Sequence, residues 1–194
     1  MPDVLTNLLV DLSDSIRQRF FNPTRAWPNC VISQLTFNTI GHALNGVSVE
    51  GLIDEARVFG PADRIYGGRS NSALLYYALG LEIDCFKGVV VSFRIITDPG
   101  SRSLRWHRRC RPATLLLALA NSSRRNLSRD TYENELVHLF GQPVETGPIG
   151  DDRVHTFVNG GTVIETYHAQ GSGRLAELEL MLSADAAATG HVHR

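Results

Sequence analysis

Leu81-Glu82-Ile83-Asp84-Cys85-Phe86-Lys87-Gly88-Val89-Val90-Val91-Ser92-Phe93-Arg94-Ile95-Ile96 is the stretch that decides the fold. Leu81, Ile83 and Cys85 alternate with Glu82, Asp84 and Phe86, and after a Lys87-Gly88 turn Val91, Phe93 and Ile95 alternate with Ser92 and Arg94. Period two with one apolar set is the pattern of an antiparallel sheet that buries one face. Glycine at the turn reaches positive φ without steric cost.

The pattern returns downstream. Phe59-Gly60 is matched by Phe140-Gly141, Tyr76 by Phe157, Gly80 by Gly161, Ile83 by Ile164 and Phe86 by Tyr167, each 81 residues on. A spacing held without a gap signals an internal duplication. The flanking segments read as helices. Ile40 to Leu44 makes a short turn stopped by Asn45-Gly46. Ser48 caps a helix with Leu52, Ile53, Ala56 and Phe59 on its buried side, ended by Gly60-Pro61. Pro112 opens a helix over Ala113 to Ala120. Ser128 caps another, with Tyr132, Leu136, Leu139 and Phe140 on its apolar side. Strands follow at about 154–158, 162–168 and 174–182.

The expected fold class is therefore α+β: two tandem helix–loop–helix plus antiparallel-sheet repeats, with an extra amphipathic helix over 3–20. The expected division is an N-terminal helix and connection (1–30), a first unit (31–98), an Arg-rich linker (99–112), a second unit (113–183) and a flexible tail (184–194). The N-terminal helix reads either as a packing element or as the apolar face of a homodimer. This plan, with a small-residue cap before the second helix, the stops Gly60-Pro61 and Gly141-Gln142-Pro143 and aromatic-glycine strands, resembles the β-lactamase inhibitory protein family. It is also similar to the small lipoproteins of the outer-membrane assembly machinery. The resemblance spans residues 38–97 and 113–182. It implies binding of another protein across a concave sheet, and it assigns no individual functional residue. Those relatives are exported and the inhibitor is disulfide-bonded, traits that this sequence does not display.

Composition narrows the classes. The 194 residues are 43% hydrophobic and 20% charged, with a net charge of -1, which disfavours a whole-chain nucleic-acid binder. Cys30, Cys85 and Cys110 are odd in number and form no C-x-x-C pair, so neither a disulfide framework nor a cysteine zinc site is expected. Without a signal-like start or a long apolar run, the expectation is a cytoplasmic protein with no membrane contact.

No phosphate loop, dinucleotide fingerprint, H-E-x-x-H or G-x-S-x-G occurs, so no cofactor, metal or catalytic residue is assigned and an enzyme is the less favoured reading. Candidate partner-binding residues are those expected on the outward sheet face: Glu82, Asp84, Phe86, Arg94, Glu165, Tyr167, Glu177 and Glu179. Carboxylates beside aromatics there read as a solvated face or a contact surface for an unknown protein partner. The function expected is thus a non-enzymatic, adaptor- or inhibitor-like binding module. One alternative is a small-molecule or enzymatic site between the units, lined by Glu165, His155, His168 and Arg94. Another is nucleic-acid contact through Arg102 to Arg125, where seven arginines stand with no acid. The same arginines could instead fold back onto the chain's own carboxylates.

Overall fold

A computed structural model describes residues 22–68, 70–101, 107–119, 123–169 and 171–182. In chain order come β1 (Leu35–Asn38), β2 (Ala43–Leu44), β3 (Val47–Ser48) and a 3-10 helix (Ile53–Phe59). A first meander follows, of β4 (Arg64–Gly67), β5 (Asn71–Tyr76), β6 (Leu81–Phe86) and β7 (Val89–Ile96). Next are β8 (Leu115–Ala118), β9 (Arg124–Leu127) and α1 (Glu133–Phe140). A second meander closes the chain with β10 (Glu145–Ile149), β11 (Asp152–Asn159), β12 (Thr162–Ala169) and β13 (Leu175–Leu182).

The strands form two sheets. One has the order β3-β2-β1-β8-β9 and the other β10-β11-β12-β13-β7-β6-β5-β4, so the two meanders meet edge to edge at β13 and β7. Ile83 pairs with Phe93 in the first meander, Ile164 pairs with Leu180 in the second, and Phe93 pairs with Leu180 across the junction. The ladder thus aligns the two isoleucines that stand 81 residues apart. Phe37 of the smaller sheet meets Phe93 edge-on at 6.5 Å, and Leu35, Leu115 and Leu117 join Ile83, Phe93, Leu178 and Leu180 in one buried cluster between the sheets. Phe59 against Tyr76 (5.7 Å) and Phe140 against Phe157 (5.3 Å) seat the two helical segments on the inner face in the same tilted way.

The α+β fold of helix–loop–helix repeats is corrected by these elements. The protein is β-rich, and among the described residues α1 is the one α-helix. Asn45-Gly46 does not stop a helix. Both residues have positive φ (49° and 87°) and join Leu44 to Val47 as a two-residue hairpin turn. Asn-Gly serves a helix C-terminus and a type I′ hairpin equally well, and the strand partner decides. Residues 115–118 are a strand flanked on both sides, with Leu115 and Leu117 fully buried. A short apolar run is legible as helix or strand, and tertiary pairing overrides the helix preference of Ala and Leu. The 53–59 segment is 3-10 rather than α-helical. Ser128 caps no helix; Tyr132 is the N-cap of α1, with Glu135 accepting its N–H. The N-terminal helix, and the homodimer reading that hung on it, lie outside the described residues, as do Arg102, Arg105 and the 184–194 tail.

Two glycines separate backbone conformation from crowding. Gly80 and Gly160 share φ near +60°. A Cβ at Gly80 would stand 2.5 Å from the Arg111 carbonyl oxygen, whereas at Gly160 its nearest neighbour is 3.5 Å away. Gly160→Ala should cost about 1 kcal/mol, the ordinary penalty of a left-handed alanine. Gly80→Ala should cost at least about 3 kcal/mol, because the 111 backbone must also move. Urea midpoints of the two variants check the difference.

Candidate functional site

The face of the eight-stranded sheet turned away from the smaller sheet carries two parallel rows of side chains, both following from the ladder. One row runs Thr156, Glu165, Glu179, Arg94, Glu82, Leu75, Arg64, each residue paired with the next across neighbouring strands. The next row runs Val158, Val163, Met181, Ser92, Asp84, Ala73, Tyr66. Directly opposite, same-face residues lie about 5 Å apart, close enough for side chains to interact.

Arg94 is the centre of the first row. Its Nη1 stands 2.8 Å from Glu82 Oε1, its Nη2 2.9 Å from Glu179 Oε2 and 3.7 Å from Asp84 Oδ2. Nε lies 3.0 Å from Glu177 Oε1 but off the N–H axis, so that contact is Coulombic rather than a hydrogen bond. Ser92 Oγ is 2.8 Å from Glu179 Oε1 and 3.1 Å from Asp84 Oδ2, and its one proton serves one of them at a time. From the linker, His107 reaches across the face, with Nε2 2.9 Å from Glu82 Oε2 and Nδ1 3.5 Å from Glu177 Oε2. His107 is 1% exposed and Glu82 and Glu177 are each 4% exposed, so this is a buried charge cluster rather than a wet face. Cys110, three residues on, packs with Leu75 and Ile96 and anchors the same strap.

Burial shapes the proton affinities. Desolvation lifts the Asp84 carboxyl to about 6; Arg94 opposes it, Glu82 and Glu179 add to it, and Ser92 opposes it. For His107 burial works against the imidazolium, but the adjoining Glu177 and Glu82 carboxylates, the latter hydrogen-bonded to Nε2, outweigh it, and the net shift is upward. Burial raises the Tyr167 phenol, whose hydroxyl donates to Glu165 Oε2 at 2.9 Å.

The structure places seven of the eight partner-binding candidates together: Glu82, Asp84, Arg94, Glu177 and Glu179 in the cluster, and half-buried Glu165 and Tyr167 beside it. Phe86 stands at the strand end, 48% exposed, under the Lys87 ammonium. His155 and His168 do not join Glu165 and Arg94. Both are buried on the inner side: His155 contacts Thr146 (2.9 Å) and Glu133 (3.1 Å), and His168 contacts Thr166 (3.1 Å) and the Gly173 carbonyl (3.1 Å). The polar site expected between the units is therefore not assembled from those four residues. Among the described arginines of the 102–125 stretch, Arg108, Arg109 and Arg111 flank the strap, while Arg124 and Arg125 lie in β9 of the other sheet. Sequence reasoning missed His107 as a site residue; its signal was an imidazole set among the arginines of the linker. Ser92 was placed on the correct face but not in the site. Among the described residues no group of three or more His, Cys, Asp and Glu could hold a metal ion, and no helix is long and apolar enough to cross a membrane.

Neither a protein family nor a curated protein matches the sequence. Among solved structures, the chain is similar to a DUF4309 family protein, YjgB, from Bacillus subtilis subsp. subtilis strain 168, at 10% identity and a TM-score of 0.45, covering 72% of this chain and 84% of that one. It is also similar to a cysteine-rich secretory protein from Staphylococcus aureus subsp. aureus Mu50, at 14% identity and a TM-score of 0.45, covering 80% of this chain and 52% of that one.

Removing the central cation should be severe. Arg94→Met leaves buried carboxylates facing one another and should cost about 3–5 kcal/mol, measured by urea unfolding at neutral pH. The pH response has a definite sign. Between 3.8 and about 6 the native Asp84 holds more proton than the unfolded chain, so its contribution is lost as pH rises through that window. The raised His107 contributes below 6.5 and is lost as pH climbs above it. Asp84→Asn should flatten the first segment of the stability curve and His107→Gln the second. Variant curves parallel to the wild type in those windows would contradict the assignment.

Proposed function

We propose that this protein is a non-enzymatic binding module, adaptor- or inhibitor-like, that engages a protein partner through the open part of the Arg94 face. The observation that carries the reading is an acid-rich row flanked by exposed and half-buried apolar side chains on the same sheet. Val158 (48% exposed), Val91 (42% exposed) and Phe86 are open to solvent, and Val163 and Met181 are half-buried between them. Beside them Glu82, Asp84, Glu165, Glu177 and Glu179 outnumber Arg94 and His107. An apolar stripe bordered by excess acid suits a partner whose contact combines apolar residues with lysine or arginine.

The ion cluster also speaks against a catalytic role for these groups. Arg94 and His107 are engaged by the carboxylates around them, and a proton-transfer site needs a group turned toward substrate.

Affinity capture from the source cell with the full chain, read by quantitative mass spectrometry, tests the proposal. The triple variant Phe86→Ala, Val91→Ser, Met181→Ala should lose a partner that the wild type retains, and Glu165→Lys should weaken its retention most at low salt. Retention of every partner by the folded triple variant would overturn the reading.

A further inference from the structure

β9 is the last strand of the smaller sheet, and among the described residues it pairs with β8 alone. Two hydrogen bonds set the phase of its backbone. Thr39 N–H donates to the Ala118 carbonyl at 3.1 Å, so Ala118 turns its polar groups toward β1. Leu119 N–H donates to the Ser123 carbonyl at 3.0 Å, so the residues on either side of Ala118 turn theirs toward β9. In the antiparallel pair, Arg125 opposite Leu117 and Leu127 opposite Leu115 then face β8. The N–H and C=O groups of Arg124 and Asn126 point off the free edge.

That edge borders a groove. A cavity of about 780 Å³ lies between the strand and the helix, its lining including Leu119, Arg125 and Leu127 on one side and Glu135, Leu136 and Leu139 of α1 on the other. The volume falls within the range of ligand-binding clefts, and an edge strand facing a helix is the arrangement in which an extended peptide adds to a sheet. We infer that this edge and groove capture an extended acidic segment of a partner protein, which joins β9 as a sixth strand.

The acidic preference comes from charge. The side chains of Arg124 and Arg125 are exposed, and among the described residues no ion pair or side-chain hydrogen bond engages them. Glu135, which lines the groove, has its carboxylate turned to the Tyr132 N–H at 3.0 Å, and Asp130 lies 3.8 Å from Arg129. A second copy of the chain is disfavoured in the antiparallel β9–β9 registers that centre on Arg124 or Arg125, each of which sets one arginine directly opposite its own copy. Charged residues on a short edge also guard a sheet against unwanted pairing, and a guarding role predicts that no peptide binds. The site is separate from the Arg94 face and does not depend on the function proposed for it.

The probe is the blocked peptide acetyl-Glu-Val-Glu-Val-Glu-amide, titrated into the full chain and followed by backbone amide NMR. Saturable binding with a Kd below about 1 mM is expected, with shifts in β9 and α1. The Lys-Val-Lys-Val-Lys analogue should bind at least about tenfold more weakly, and so should the wild-type peptide to the double variant Arg124→Glu, Arg125→Glu. Two further analogues, one N-methylated at the valines and one at the glutamates, remove alternate N–H donors. One of the two must lose about tenfold if a ladder forms. Absence of saturable binding, equal affinity of both N-methylated analogues, shifts confined to the Arg94 face, or a wild-type dimer abolished by the double variant would each overturn the inference.

Discussion

The antiparallel ladder between β7 and β13 joins the two meanders into the one eight-stranded sheet. It brings edges of two meanders into register at Phe93 and Leu180, and the side-chain period of two does the rest. Below the sheet Phe93 and Leu180 complete the core with Phe37; above it Arg94 falls opposite Glu179. A slip of one residue at this junction would turn Arg94 toward Phe37 and the leucines, and Phe93 toward the carboxylates. The hydrophobic core and the ion cluster therefore select the same register from opposite faces.

Buried charges are an expensive way to reinforce that choice. Desolvation offsets most of the Coulombic attraction in such clusters, and apolar replacements of similar shape are often as stable. The geometry here meets the conditions that make a cluster tolerable. One guanidinium is shared by four carboxylates, Ser92 supplies a hydroxyl between two of them, and His107 caps the remaining oxygens of Glu82 and Glu177. Because His107 arrives from the linker, the cluster also ties the connection between the meanders to the sheet. That is the cis role open to the basic linker, carried by its imidazole among the described residues.

Legibility in the sequence followed the strength of local pattern. Residues 81–96 alternate cleanly, and the faces read from them hold, apart from a register shift between Asp84 and Cys85 that buries Val90 and exposes Val91. The alternation identified the face but not its exposure. Charged residues on a strand look wet in sequence, and nothing local announces a strap folded over them. The helix readings failed where motifs are ambiguous. Asn45-Gly46 fits a hairpin as well as a C-cap, and the Ala-Leu run at 113–120 shows no period that separates a helix from a strand buried between two neighbours. The segment over 133–140 was legible because Leu136, Leu139 and Phe140 recur at helical spacing before a glycine at φ 87°.

Closure of the ion cluster decides what the face has left to offer. Arg94 is already shared among four carboxylates, so toward the proposed partner the charges of the central row would act at a distance, setting approach and orientation. In the proposed contact, area would come from the apolar side chains beside that row: Val158, Val163 and Met181, paired in turn from β11 to β13, with Val91 of β7 and Phe86 of β6 exposed further along the sheet. Asp84 stands in both roles. It belongs to the apolar row by register and to the ion cluster by its Oδ2, and its side chain keeps 27% of its surface open. A cation arriving there would meet a carboxyl lifted by burial toward neutrality and would draw it back to the ionised form, so protonation and the proposed partner would compete at that one group.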